Sequence, residues 1–502
     1  MILGIDLGTT FSLAAYTNAG GTPVLCPSQH DSKRFQTPSV VHIGSRGCLV
    51  GDLVEQLLED EPALPVSRFA KLSMGKPGMI YSDHEAFGYP PEAISAMVLR
   101  KVKADAEMCL NEPITGTVIT VPAHFNDAQR EATVNAGRLA DLPVLQLIEE
   151  PVAAATYFGL RVQSGEKTIF VFDMGGGTLD ATILHATPKG LYVIATEGAT
   201  NIGGKNFDEI LMKLVWEQDQ AINRRDLSKD PEAIQRCRAF STAMKLGLSE
   251  PGRGILSKPI MLGGKSLRIT VNRDYFETAA EPWLEASKLV CQDVLKGAGM
   301  AWEDIDDLVL TGGSSLVPCV QKMVREMSGL PASRISLDQP HASVAYGAAL
   351  LAEQLHGERQ TMAPPLKQLV TSNELGIKAY DPESGKVIFH PMIEKNVPLP
   401  TSHKQTVYTQ KDDQKNVSIE ILQRKDAYSS TESLGKFQFG PIMKPEKNYP
   451  VEITMGYDES GRVLLTARDI RSGQSMEEII GSEKESSLMS LHGRINSMVV
   501  HG

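Results

Sequence analysis

Two stretches of the chain carry the same chemistry-bearing pattern. Ile2-Leu-Gly-Ile5 runs into Asp6-Leu-Gly8-Thr9-Thr10, then through Phe11 to Ser12-Leu-Ala-Ala15. Thr168-Ile-Phe-Val-Phe172 runs into Asp173-Met174-Gly175-Gly176-Gly177-Thr178, then Leu179-Asp180-Ala-Thr-Ile183. Each reads as apolar strand, Asp, Gly-containing turn, Thr, second strand. Asp6 and Asp173 stand 167 residues apart, about one domain. Glycines let main-chain N–H groups approach an anion closely, and Thr hydroxyls add donors. An Asp at a strand end can hold a hydrated Mg2+. Two such hairpins, one per lobe, would clamp neighbouring phosphates from both sides. A single copy is more often an ordinary hairpin turn; the second copy at domain offset favours phosphate. A third turn, Asp307-Leu-Val-Leu-Thr311-Gly312-Gly313-Ser314-Ser315, ends a strand and has Pro318 in the first helical turn after it. Its Gly pair would allow close approach to a base or sugar, and its plain alternative is a strand–helix turn.

The elements that must position these groups can be read from the rest of the chain. Its 502 residues are too many for one ordinary core and predict two to four domains. At 42% hydrophobic and 22% charged, the composition excludes disorder and collagen-like repeats. The net charge of −11 argues against a broad nucleic-acid or anionic-membrane surface. No apolar run reaches bilayer-spanning length, and the first residues lack the basic start of a signal peptide. The six cysteines, at 26, 48, 109, 237, 291 and 319, form no Cys-x-x-Cys pair and read as reduced core thiols in a cytosolic protein. Charge is uneven: residues 1–363 carry a net −10 and residues 364–502 a net −1. Between these parts lies Met362-Ala-Pro-Pro-Leu-Lys-Gln-Leu-Val370, whose two prolines bar a helix interior.

The first part alternates strands with helices. Thr117–Val121 is a β-branched run fit for a buried strand, and Ile94, Met97, Val98, Val102 and Leu110 recur at helical spacing after Pro90-Pro91. This is an α/β pattern. In the second part, Val417–Ile421 and Val451–Met455 alternate with period two, and a turn at 458–461 precedes Val463-Leu-Leu465. Short strands separated by turn chemistry predict an all-β sandwich. After it, Ser482 and Glu485 have capping-box spacing, and Leu488, Met489, Leu491, Ile495 and Met498 predict a short helix interrupted near Gly493.

Several ordered motifs carry a specific resemblance. They are Gly4-Ile-Asp-Leu-Gly-Thr-Thr10, Val121-Pro-Ala-His-Phe-Asn-Asp-Ala-Gln-Arg130, Glu150-Pro-Val-Ala-Ala-Ala155, Phe172-Asp-Met-Gly-Gly-Gly-Thr-Leu-Asp180, Gly203-Gly204-Lys-Asn-Phe-Asp208 and Val344-Ala-Tyr-Gly-Ala348. Leu375-Gly-Ile377, Pro391–Asn396 and Ser433–Phe437 fit in the β part. Over residues 2 to about 481 the chain resembles the seventy-kilodalton heat-shock chaperone family (DnaK-type). The resemblance implies an α/β actin-like two-lobed ATPase at 1–363, a linker at 364–371, an all-β sandwich peptide-binding domain at 372–481, and a short C-terminal helix or truncated lid at 482–502. It implies ATP or ADP with Mg2+, K+ being a further candidate.

Residue by residue, the resemblance gives Asp6, Asp173 and Asp180 a Mg2+ held through water. Glu150 and Asp180 would orient the attacking water, and Lys71 would position it and steady γ-phosphate charge, with Thr178 also catalytic. Without the family, Lys71 is a surface lysine. Gly8, Thr9, Thr10, Phe11, Gly175, Gly176, Gly177, Gly203, Gly204, Lys245, Ser249, Gly312, Gly313 and Ser314 would hold the nucleotide. Pro122 and Arg130 would relay nucleotide state. Ile377, Tyr380, Val407, Gln410, Val417, Ile419 and Ile421 fall where the family binds an extended peptide, and sandwich core is their plain alternative.

The chain also departs from the family pattern. Leu246, Leu316 and Thr242 replace two arginines and a Glu around adenine, which predicts weaker, less adenine-selective binding. Gln146 and Val152 replace an Arg and a Thr at the surface where J-domain co-chaperones dock. The polar residues of Leu366-Lys-Gln-Leu-Val370 predict weak docking of the linker. Gln410 is polar where the family is small and apolar. With only 21 residues after the sandwich, the chain reads as a lidless member or a shortened one. The expected function is an ATP-driven chaperone for extended apolar peptides, mainly monomeric and cytoplasmic, with J-domain and nucleotide-exchange partners and without nucleic acid or membrane. A partner-binding module with weak turnover and an actin-fold small-molecule kinase are the alternatives.

Overall fold

The computed structural model describes every residue except 30, 46, 160–164, 358–360, 382–384, 426–428, 444, 460, 480–484 and 502. The sequence repeat reappears as a repeated sheet. In the first sheet the order is Val144–Glu149, Gly116–Val121, Ile2–Leu7, Phe11–Thr17, Pro23–Leu25. The first three strands run parallel, and the last two reverse direction at each turn. In the second sheet the order is Ile335–Ser336, Asp307–Thr311, Lys167–Met174, Thr178–Thr187, Gly190–Thr200. Its strand directions match the first sheet one for one. Each Asp-Gly-Thr turn therefore joins the central parallel strand to its antiparallel neighbour.

The two sheets are held face to face by small residues. Helices Glu150–Gly159 and Ser343–His356 pack between them, rich in alanine and fully buried along most of their length. A Cβ on Gly347 would lie 1.7 Å from the Ala153 carbonyl oxygen, so only glycine lets these helices approach so closely. Helix Pro91–Leu110 forms where the apolar spacing predicts it, with Pro91 at its first position.

Residues 374–479 form two four-stranded antiparallel sheets. One runs Lys386–Ile393, Glu374–Asp381, Val417–Arg424, Glu432–Phe439; the other runs Thr401–Tyr408, Pro450–Tyr457, Val463–Asp469, Ser475–Ile479. Their inward faces supply a shared core that includes Leu375, Ile421, Phe437, Ile453 and Leu465. Period-two alternation sends alternate side chains of Val417–Arg424, Pro450–Tyr457 and Val463–Asp469 into it.

Two expectations need correction, on the C-terminal helix and on one cysteine. The linker, for which weak docking is expected, is in contact with the α/β part: Leu366–Gln368 adds to the second sheet as a parallel strand beside Gly190–Thr200. Strand addition uses main-chain bonds, so polar side chains are no obstacle; Lys367 stays exposed and Gln368 Nε2 donates to the Val193 carbonyl. The C-terminal helix Glu485–Ser497 runs through Gly493 without a break. Ser482 of the expected capping box lies outside the described residues. Finally, Cys109 is exposed, while the other five cysteines are buried, and all six are free thiols.

The C-terminal segment does not remain with the sandwich. Its helix packs against Pro91–Leu110 and Asp127–Leu139, and Val500–His501 pairs in parallel with the strand Gly47–Val50. Ile495 is fully buried in the first-lobe core.

Candidate functional site

The two repeated turns meet. A Cβ on Gly176 would fall 2.1 Å from Thr10 Oγ1, and one on Gly177 would press on Leu72 and Thr9 Cγ2. Gly203 nests against this turn so closely that its Cβ would lie 2.7 Å from both the Gly175 oxygen and the Gly177 nitrogen. The N–H groups of Gly204 and Lys205 donate to the carbonyls of Gly175 and Gly176. Ser314 Oγ donates to Gly175 O at 2.6 Å, which ties in the third turn. Gly8, Thr9, Gly175–Thr178, Gly203, Gly204 and Ser314 thus converge on one cleft between the lobes.

Lys245 stands at its edge, donating to Gly204 O at 3.0 Å and paired with Asp208 at 2.9 Å. Ser249 turns its hydroxyl back onto Lys245 O within its own helix. Phe11 is exposed at the mouth. His341 lies beside Gly313, within 2.9 Å of where its Cβ would be, and burial pushes its pKa down. Leu246 and Leu316 are exposed apolar side chains, 63% and 36% accessible, on the helix Pro231–Ser249 and the turn Gly313–Leu316.

The charged groups sit at the base of the cleft. Lys71 is not a surface lysine: it is 6% exposed and donates to Glu150 Oε1. Glu150, Asp173 and Asp180 are buried, and Asp6 is half-buried. Burial, then the neighbouring Glu150, pushes Asp6 up to about 7, with Lys71 opposing. Burial, then Glu150, Asp180 and Asp6, pushes Asp173 well above the usual carboxylate range. Burial raises Glu150 too, against the pull of Lys71. Burial works against the Lys71 ammonium, but Glu150 and Asp6 outweigh it and raise its pKa.

Four carboxylates, three of them buried, around one ammonium leave excess negative charge that a cation would neutralise. Asp180 Oδ2 is buried with no hydrogen-bond partner. Among the described residues no three His, Cys, Asp or Glu side chains gather tightly enough to ligate a bare ion. The donor set therefore fits a hydrated Mg2+, which takes few carboxylates and keeps its waters.

Other groups on this side were not legible as site residues in the sequence. His124 Nδ1 lies 2.8 Å from Asp180 Oδ1. Glu149 is buried and accepts from Arg130 Nη2 at 2.9 Å, while Arg130 Nε donates to Phe125 O. Arg130 is thus placed between strand Val144–Glu149 and the loop that begins at Pro122.

That loop leads into helix Asp127–Leu139, where the sandwich is seated. Asn126 Nδ2 donates to Glu432 at 2.6 Å and the Asp127 amide to Gln423 Oε1 at 3.3 Å. Glu197 of the second sheet accepts from Lys395 at 2.5 Å and pairs with Lys425 at 2.7 Å. A cavity of about 620 Å3 lies between the α/β part and the sandwich, lined by His124, Gln129, Glu197, Lys395, Arg424 and Ser430 among others.

The expected peptide residues do not come together on one surface. Ile377, Val417, Ile419 and Ile421 are buried in the sandwich core. Inward alternation along Val417–Arg424 explains this, so they take the core alternative rather than lining a groove in this conformation. Val407 is half-buried at the edge of that core, and Tyr380 and Gln410 are exposed.

Among the described residues no helix is long and apolar enough to cross a membrane. A family model described as Hsp70 protein matches residues 55–500. The match begins after the first Asp-Gly-Thr hairpin and runs through the second hairpin, the linker and the sandwich into the C-terminal strand. It covers well over half of the chain, which therefore belongs to the Hsp70 family.

Proposed function

We propose that this chain is an ATP-hydrolysing chaperone. Residues 1–363 act as a two-lobed actin-like ATPase, 364–371 as a linker, and 372–481 as a β-sandwich that binds extended peptide. The observation that carries the reading is the meeting of the two repeated turns above a buried Lys71–Glu150 pair. Phosphoryl transfer needs little covalent chemistry from a protein and much positioning and charge stabilisation. Main-chain N–H groups of the two glycine turns cradle the phosphates, with Thr9, Thr10 and Thr178 adding hydroxyls. Lys71, kept charged and in place by Glu150, faces the charge that grows on the transferred phosphoryl group. Asp180 and Glu150 accept hydrogen bonds from the attacking water and orient it. Asp6, Asp173 and Asp180 would hold a hydrated Mg2+, which would supply charge neutralisation at the phosphates.

Hydrolysis reaches the sandwich through the linker strand, Arg130 and the Asn126–Asp127 contacts. Strand-type recognition of an unfolded peptide would draw its affinity from main-chain bonds. Tyr380, Val407 and Gln410 are the side chains accessible to it, and Ile377, Val417 and Ile419 would reach it only if the sandwich opened. J-domain proteins and exchange factors are the co-chaperones to expect, and the cytoplasm is the location to expect. Phosphate release measured with and without an unfolded peptide, and repeated for Lys71→Ala, tests the whole reading. Stimulation by peptide that Lys71→Ala abolishes is the expected result; no turnover in either protein removes it.

A second reading has one specific observation in its favour. Leu246 and Leu316 offer a base no arginine to stack on, which suits a partner-binding module with weak turnover. Tight, ATP-selective binding would remove that reading.

A further inference from the structure

His124 stands between the cleft and the sandwich, and the catalytic roles above do not use it. It lies in the short connection from strand Gly116–Val121 to helix Asp127–Leu139. Its ring Nδ1 is 2.8 Å from Asp180 Oδ1, and its own main-chain N–H donates to the same oxygen at 3.3 Å. A carboxylate oxygen that is ionised only accepts, so the donating form of this contact is the tautomer with the ring proton on Nδ1. Its Nε2 is buried with no partner, and so is the other carboxylate oxygen, Asp180 Oδ2. One Asp180 oxygen is therefore engaged twice from the same residue and the other is uncommitted.

The surroundings hold this pair in place. The ring meets Phe125 edge-on at 6.0 Å. Opposite lies Gly198, where a Cβ would fall 2.4 Å from His124 Nδ1 and 2.5 Å from Asp180 Oδ1. Any larger residue there would push the two apart. Asp180 faces Asp173 directly across the hairpin register.

We propose that His124 is a positioning residue for the hydrolysis reaction. Its two donors lock the Asp180 carboxylate through Oδ1, so that Oδ2 is fixed to accept from the attacking water. In that step the water oxygen bonds to the γ-phosphorus, the bridging bond to ADP breaks, and the water proton leaves with the released phosphate. His124 neither takes nor gives a proton. The connection also has a mechanical consequence. Two residues beyond His124, Asn126 bonds to the sandwich through Glu432, so displacement of the sandwich pulls on the loop that orients Asp180. The inference rests on the ATPase reading above.

The test compares His124→Phe, which keeps ring volume and loses the donor, with His124→Asn, whose amide can donate from near the Nδ1 position. Losses of about ten- to a hundredfold are usual when a group that orients a site ligand is removed. His124→Phe should lower the single-turnover rate by about that factor while leaving the ATP dissociation constant within about twofold, and His124→Asn should recover most of the rate. A His124→Phe protein that turns over at the unmodified rate, or loses affinity rather than rate, overturns the proposal, as does a failure of Asn to recover. Should His124→Phe not fold, nitrogen-15 NMR of the unmodified protein decides. Protonated Nδ1 with bare Nε2 supports the proposal, and the opposite tautomer overturns it. Absence of turnover in the unmodified protein would overturn the ATPase reading and this inference with it, whereas turnover that ignores the Phe substitution overturns the inference alone.

Discussion

The Lys71–Glu150 pair carries opposite consequences for stability and for chemistry. Both side chains are under a tenth exposed. Removing one partner of such a pair leaves an uncompensated buried charge, at about 3–5 kcal/mol, whereas removing both can be nearly neutral. Lys71→Met should therefore lower the urea midpoint markedly, and Lys71→Met with Glu150→Gln should recover most of it. On the proposed ATPase reading neither should recover turnover, because the Lys71 charge is gone; a loss of about a hundredfold or more is expected. Recovery of both together would mean that Lys71 serves the fold alone.

Leu246 and Leu316 make a separable prediction. A guanidinium stacked on a ring is worth about 0.5–2 kcal/mol. Leu246→Arg and Leu316→Arg should each tighten ATP binding by roughly two- to thirtyfold in calorimetry. Equal gains for GTP would show general charge attraction instead. At this scale the sequence is most readable where spacing repeats: Asp6 and Asp173 are marked by their shared pattern. His124 carries no such mark, because its partner Asp180 is brought to it only by the packing of two sheets. The burial of Lys71 is hidden for the same reason.

Elements are legible when they satisfy themselves and obscure when a partner defines them. The helix Pro91–Leu110 and the alternating strands of the sandwich carry their own periodicity. Leu366–Gln368 is three residues long and becomes a strand only because Gly190–Thr200 offers it an edge. The seam it belongs to is also built from single residues on separate elements. Asp127, at the first turn of its helix, is buried there among Arg130, Gln423 and Tyr457. Burial, opposed by Arg130, raises its pKa to about 7.

The sign of the pH dependence follows. The seated arrangement binds the Asp127 proton more tightly than a separated one, in which the carboxyl would have its ordinary value near 4. Seating of the sandwich is thus fully favoured at low pH and weakens as pH rises toward and through about 7. Amide-exchange protection of residues 366–368, corrected for intrinsic exchange, should be greater at pH 6 than at pH 8. Asp127→Asn should flatten that difference. An unchanged pH dependence in Asp127→Asn would assign the effect to another group at the seam.

At the scale of the molecule, the sandwich is tied to both lobes. Its start is the linker strand in the second sheet, and beyond its last strand the chain returns to the first lobe as helix Glu485–Ser497 and strand Val500–His501. Relative rotation of the lobes would therefore strain one tie or the other unless the sandwich moved as well. The tie to the first lobe is substantial. Arg494 donates to Asp83 at 2.7 Å, Glu85 at 2.8 Å and the Tyr89 hydroxyl at 3.0 Å, with its guanidinium 4.2 Å from the Phe87 ring centre. Burial works against the Asp83 charge, but hydrogen bonds from Arg494, Tyr89 and two amides hold its pKa at about 2. Arg100 donates to the Ile495 carbonyl, and burying the Ile495 side chain contributes about 1.5–3 kcal/mol. In the sequence these residues show only a helical apolar spacing, because their partners at 83–100 lie some four hundred residues away. Arg494→Ala should strip Asp83 of its cation and loosen the helix, and Ile495→Ala should loosen it without touching charge. If the strap helps seat the sandwich, both substitutions will raise amide exchange in Val500–His501 and also, at a distance, in Leu366–Gln368 on the opposite lobe. Exchange that rises only at the C-terminal strand would show that the strap stabilises the first lobe and leaves the sandwich free.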